Sequence, residues 1–285
     1  MIGAIIGDVV GSRFEWRNHR SKEFDLFDPA CRPTDDSVMS LAVARAILES
    51  APDHRDLPEL TVRSMQGLGR AHPEVGYGGM FSAWIASDDP RPYQSFGNGA
   101  GMRVGPAGFA ARSLEEARLL SRHVTVVTHD HPLAVAGAEA IATSICLARS
   151  GATKEELRRH IEEGYYTLEF TIDGLRPTYR FDVTCQGSIP VALEAFLESR
   201  DFEDAIRTAV SVGGDTDTIA AMAGSVAEAY YGVPEHIVQG VLPYLDNGLT
   251  AILLAFERAH PSRVIGSGGT THRWVSDVIE ARRIR

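Results

Sequence analysis

The sequence predicts an all-α protein built as a single compact orthogonal helical bundle, and three observations predict it. Apolar residues recur at helical spacing in one segment after another, and many of these segments are rich in Ala and other small residues. Convincing strand-type alternation is scarce. The connections between periodic segments are short, which favours packed helices over a βαβ architecture.

In chain order, Asp36 to Ser50 has a broad apolar face and few β-branched residues, so it reads as a helix. Leu57 to Leu68 follows, with Pro58 suited to a first helical position. Met80 to Ala86 and Leu114 to His123 continue the pattern. Leu133 to Ser150 is Ala-rich and is expected to pack on several sides. Thr153 to Tyr165 opens with a capping box, Thr153 paired with Glu156. Ile189 to Glu198, Phe202 to Val210, Thr218 to Tyr231 and Glu235 to Ala259 complete the series. The best strand candidate is Thr178 to Val183. Residues 1–260 read as one domain. Residues 261–285 read as a tail, flexible or a short docking helix, because GSGGTT resembles a linker and the end is basic.

The chain has 285 residues and a formal net charge of -10, which argues against non-specific nucleic-acid binding. Cys31, Cys146 and Cys185 are too widely spaced for a zinc site or disulfide framework, so a reducing, cytoplasmic setting is expected. The N-terminal MIGAIIGDVVGS carries Asp8 and lacks a basic region, which makes it a poor signal peptide. No apolar run is expected to span a bilayer, and no membrane partner is expected. A monomer is expected, with a dimer as the alternative.

Acidic clusters stand at two helix starts. PTDDS supplies Thr34, Asp35 and Asp36, and GGDTDT supplies Asp215, Asp217 and Thr218. A helix dipole favours a negative charge at its N-terminus by about 0.3–1 kcal/mol, enough to account for either cluster alone. If both clusters meet in a helical core, their carboxylates repel one another and burial becomes costly. A pair of divalent cations resolves the conflict, and such hard oxygen ligands suit magnesium, manganese or calcium. From the residues alone, a metal site and two surface caps weigh about equally.

Further stretches add to the pattern. Asp8 and Glu15 flank GSRF, GYGGMF places glycines before a helix, SFGNGAGMR is glycine-rich, and THDHP carries two histidines. Exposed amides at such glycine turns can hold phosphate oxygens. Together GDVVGSRFE, PTDDS, GYGGMF, SFGNGAGMR, THDHPLA and GGDTDTIA, in this order, resemble the ADP-ribosylglycohydrolase family over roughly Gly3 to Ala259.

The resemblance implies a compact all-α fold with two Mg2+ ions, Mn2+ substituting, and hydrolysis of the bond joining ADP-ribose to a modified protein side chain. It implies Thr34, Asp35, Asp36, Asp215, Asp217 and Thr218 as metal ligands, and Glu15, Asp36 and Asp217 as catalytic residues. Gly76, Gly78 and Gly79 would cradle the diphosphate; Ser95, Phe96, Gly97, Asn98 and Gly99 would contact ribose and phosphates; His129 would lie beside the nucleotide. Phe96 stands where some members have Tyr, and Ser37 where many have Thr. In such a site the ions would fix ribose hydroxyls and activate water, and Glu15 would act as general base or acid. Two rival readings remain, the first sharing every one of these motifs and the second able to lose ligand positions without penalty. One is a hydrolase of a free 1″-substituted ADP-ribose, and the other is a non-catalytic ADP-ribose binder.

Overall fold

The computed structural model describes residues 1–265. Its helices run α1 (Ile2–Gly11), α2 (Asp35–Glu49), α3 (Leu57–Ala71), α4 (Gly79–Ala86), α5 (Gly99–Met102), α6 (Gly105–Ala110), α7 (Leu114–Thr125), α8 (Pro132–Arg149) and α9 (Lys154–Gly164). They continue with α10 (Ile172–Leu175), α11 (Cys185–Glu198), α12 (Phe202–Val210), α13 (Thr216–Tyr231), α14 (Glu235–Val241) and α15 (Asn247–Ala259). Among the described residues, the only paired strands are β1 (Val233–Pro234) and β2 (Val264–Ile265), two residues each and parallel. The all-α reading therefore holds. Of the expected tail 261–285, the described part is held to the fold, with Val264–Ile265 paired to β1, and residues 266–285 lie outside the described residues.

Two helices organise the core. All ten residues of α1 are buried, Asp8 among them, so no exposed polar side marks it as a surface helix. That is why the sequence pattern did not mark it as an element. Its glycines recur every fourth residue, which places them on one face. That face lies against α13 at backbone distance. A Cβ on Gly3 would stand 2.3 Å from the Gly224 carbonyl oxygen, one on Gly7 2.0 Å from that of Ala220, and one on Gly11 2.5 Å from that of Thr216. The small residues of α13 thus seat α1 at backbone distance.

Around this pair stand α2, α8, α11 and α12. By length and composition α8 could cross a membrane, with 18 residues and a hydropathy of 1.3, but 67% of it is buried inside the fold. The expectation that no run reaches that length is corrected by this helix. Its apolar surface faces other helices.

Two further expectations are corrected. Glu235 to Ala259 is not one helix: α14 ends at Val241, a 3-10 turn (Leu242–Tyr244) follows, and Asp246 caps α15 by accepting from the Leu249 amide at 2.8 Å. Pro243, which has no amide hydrogen to donate, falls at the break. Thr178 to Val183 is not a strand. Its polar groups are used locally, with Asp182 Oδ1 accepting from the Thr184 amide and hydroxyl at 2.8 and 2.7 Å. Thr184 makes a lone bridge to Gly97 and caps α11, which starts earlier than predicted and holds Pro190 inside it. The capping box at Thr153 and Glu156 forms as expected.

Candidate active site

Asp8, near the end of α1, is completely buried and receives three hydrogen bonds. Its Oδ2 accepts from the amides of Thr34 (2.9 Å) and Ser37 (3.0 Å), and its Oδ1 from the Thr34 hydroxyl (2.7 Å). These bonds tie α1 to the start of α2, where unpaired amides and the helix dipole favour a negative charge. Thr34 is the N-cap, accepting from the Asp36 amide. Its own hydrogen goes to Asp8, so its remaining lone pair is free to face the cluster.

The other half comes from α13. Gly213 and Gly214 lie at φ +75° and +70°, a region that favours glycine. A Cβ on Gly214 would meet the Tyr179 ring at 2.7 Å. This turn delivers Asp215 to the N-cap position, yet Asp215 makes no capping bond. Instead its Oδ2 accepts from Asn98 Nδ2 at 2.6 Å, so at this helix start the surface-cap reading does not hold for Asp215. The Thr216 hydroxyl donates to the Gly11 carbonyl at 2.9 Å and locks α13 onto α1. Thr218 Oγ1 donates to Asp36 Oδ2 at 3.2 Å, joining residues 182 positions apart.

The result is two overlapping carboxylate groups. Oxygens of Asp8, Asp36 and Asp217 lie within 4.8 Å of one another, as do those of Glu15, Asp215 and Asp217. Asp217 belongs to both. Burial pushes Asp36 and Asp217 well above the usual carboxylate range, and the surrounding carboxylates add to the shift. Asp35 is raised to about 7 by burial and then by Asp8. Glu15 is raised to about 6, by burial first and by Asp215 second. Asp36 Oδ1 is buried without a hydrogen-bond partner. Such crowding of hard oxygen donors, one of them unsatisfied, fits divalent cations.

A cavity of about 600 Å³ opens over these groups. Glu15, Asp35, Asp36, Asp215, Asp217 and Thr218 line it on one side. Gly76, Gly78, Gly79, Ser95, Gly97, Asn98, Gly99 and His129 line it too. Two predicted residues do not. Thr34 sits behind the surface, held between Asp8 and Asp36. Phe96 is half-exposed and packs its ring 5.4 Å from that of His131, because its neighbours at 95 and 97 take the inward-facing positions.

Sequence reasoning assigned no site role to several contributors. Asp8 was noted in GDVVG but not placed in the cluster. Arg103 and Phe181 also line the cavity, Phe181 beside Trp16. The Trp16 and Phe181 rings stack at 4.8 Å, Trp16 mostly exposed and Phe181 less than half exposed, and bridge two loops. Arg20 pins the same loops: its guanidinium donates to the carbonyls of Arg176, Tyr179 and Val212. The loop that carries Glu15 is therefore fixed to the glycine turn before α13. No local pattern announces such contacts, because each joins segments far apart in the chain.

A family model described as ADP-ribosylglycohydrolase matches residues 1–261. The chain is 27% identical to "ADP-ribosylhydrolase ARH3" of Homo sapiens, covering 88% of this chain and 90% of that relative. It is 29% identical to "ADP-ribosylarginine hydrolase Tri1" of Pseudomonas putida (strain GB-1), covering 82% of this chain and 70% of that relative. A solved structure titled "ADP-ribosylglycohydrolase-related protein complex" superposes with a TM-score of 0.70 at 25% identity, covering 91% of this chain and 95% of the other.

Proposed function

The chain belongs to the ADP-ribosylglycohydrolase family, and from that premise we propose that it is a divalent-metal-dependent hydrolase that removes ADP-ribose from modified protein side chains. The observation that carries the reading is the double carboxylate group joined by Asp217, at one side of a cavity of about 600 Å³ whose other walls include glycine turns. A cavity of that size suits a small nucleotide ligand.

Thr34, Asp35, Asp36, Asp215, Asp217 and Thr218 would hold two cations, magnesium or manganese. When bound, the cations supply positive charge, orientation of the ribose hydroxyls and activation of a water. The chain's own residues do the rest. Asp8 uses its three hydrogen bonds to aim Thr34 and the first turn of α2. The bare turns at Gly78 and Gly79, where a Cβ would meet nothing within 4 Å, leave room for a diphosphate. Cleavage at the anomeric carbon builds positive charge on the ribose ring, and the carboxylates oppose it. Glu15 moves the proton, taking it from water or giving it to the leaving group.

Glu15→Gln is expected to slow turnover about 10²- to 10⁴-fold while ADP-ribose affinity stays within about threefold. Single-turnover rates beside calorimetric binding check this. A variant that loses affinity but keeps its rate removes Glu15 from proton transfer.

The rim favours a protein substrate over a free metabolite. Trp16, Met80, Phe181 and Val183 are exposed apolar side chains at the cavity mouth. Such a patch is out of place unless something covers it. Trp16→Ala is expected to raise KM for a mono-ADP-ribosylated protein about 3- to 10-fold, leaving free ADP-ribose affinity unchanged. Equal losses on protein and on a 1″-substituted ADP-ribose would favour the metabolite reading. Assays on defined arginine- and serine-linked peptides would assign the linkage.

A further inference from the structure

Among the described residues Arg103 is the largest fully buried side chain, 1% exposed, and it lines the cavity. A buried guanidinium normally sits against a carboxylate. Among the described residues Arg103 has no carboxylate within ion-pair distance, and its Nε has no hydrogen-bond partner. Its Nη2 donates to the Thr128 hydroxyl and, at 3.1 Å, to His129 Nδ1. Its Cζ lies 5.4 Å over the Phe81 ring. Burial lowers its pKa to about 10, so it remains charged at neutral pH.

The contact with His129 has a chemical consequence. A guanidinium can only donate, so His129 Nδ1 must be an acceptor. Thr128 Oγ1 lies 2.7 Å from the same nitrogen and can accept from Arg103 while donating to Nδ1. Both contacts put the imidazole proton on Nε2. That nitrogen faces the glycine turn: a Cβ on Gly99 would stand 3.2 Å from it and one on Gly97 3.5 Å. Burial, and then Arg103, hold His129 well below the usual imidazole range, so the ring is neutral.

We propose that Arg103 is a positioning residue that locks His129 as the Nε2–H tautomer and supplies the missing counter-charge for a diphosphate in the cavity. The neutral Nε2–H then donates to a phosphate oxygen beside Gly97 and Gly99. The positive charge behind it is balanced only when the anion arrives. The tautomer lock stands on side-chain geometry alone; the diphosphate assignment rests on the ADP-ribose reading above.

Two measurements test it. In ligand-free protein, 15N NMR of the His129 ring should show Nε2 protonated and Nδ1 bare; a protonated Nδ1 overturns the lock. In calorimetry, Arg103→Gln should weaken ADP-ribose about 10- to 100-fold, the range expected for lost hydrogen bonds from a charged group. Binding of adenosine, which lacks the diphosphate, should stay within about threefold, and Arg103→Lys should recover part of the ADP-ribose affinity. Equal losses for both ligands would reduce Arg103 to a packing role and overturn the counter-charge. Should wild type bind no ADP-ribose, the functional reading and the diphosphate assignment fall together, while the tautomer result still decides the lock. Should Arg103→Gln not fold, the wild-type NMR result and Arg103→Lys decide.

Discussion

Asp217→Asn is expected to abolish divalent-cation binding and hydrolysis together. Asp217 is the residue common to both carboxylate groups, so one substitution disrupts each. In wild type, magnesium or manganese at 100 times its Kd should add about 2.7 kcal/mol of stability, or roughly 5–10 °C in Tm for a chain of this size. The variant should show no such rise. Its turnover should drop about 10³-fold or more, as when a central catalytic group is removed. Asn keeps the shape and removes one charge from a buried, repulsive cluster. The metal-free variant should therefore melt no lower than metal-free wild type. That pattern separates a lost ligand from a lost fold. Full activity of the variant in chelator-treated protein would sink the assignment.

Gly7→Ala is expected to lower Tm by about 2–12 °C, from an overpacking cost of about 1–3 kcal/mol. The added Cβ would stand 2.0 Å from the Ala220 carbonyl oxygen, and that atom is backbone, so a whole helix must move. The movement would also shift Asp8, the next residue, away from Thr34, so divalent affinity should weaken alongside stability. Gly67→Ala gives the control of opposite sign. Gly67 lies exposed in α3 and a Cβ there meets nothing within 4 Å, so Ala should stabilise by about 0.4–1 kcal/mol. Thermal unfolding of the two variants side by side checks both signs. An unchanged Tm in Gly7→Ala would mean that α1 and α13 are not in backbone contact.

How legible each part was follows from where its signal resides. Helices with one apolar face announced themselves through local periodicity, and Phe202–Val210 matches residue for residue. The helix α1 carried no such stripe, because it is buried on all sides and its defining feature is a glycine face whose partner lies more than 200 residues away. Thr178 to Val183 had the composition of a strand but found no strand to pair with, and its polar atoms turned to Thr184 and Gly187 instead. The break at Pro243 was visible as a residue, yet an uninterrupted apolar pattern on both sides outweighed it.

At the site, the sequence by itself determined which atoms are available: hard oxygens at two helix starts, and glycines before a third helix and in SFGNGAGMR. These depend on residue type and short-range spacing, so a linear reading finds them. Tertiary structure alone decided which oxygens meet. It placed Asp8 behind Thr34, gave Asn98 to Asp215 rather than leaving its amide free, and turned Phe96 out of the cavity. It also left Arg103 buried with no carboxylate partner among the described residues. The physical reason is the same in each case. Repulsion, desolvation and hydrogen-bond satisfaction are set by distances of a few ångströms between groups that are remote in sequence, and those distances exist only after the helices have packed.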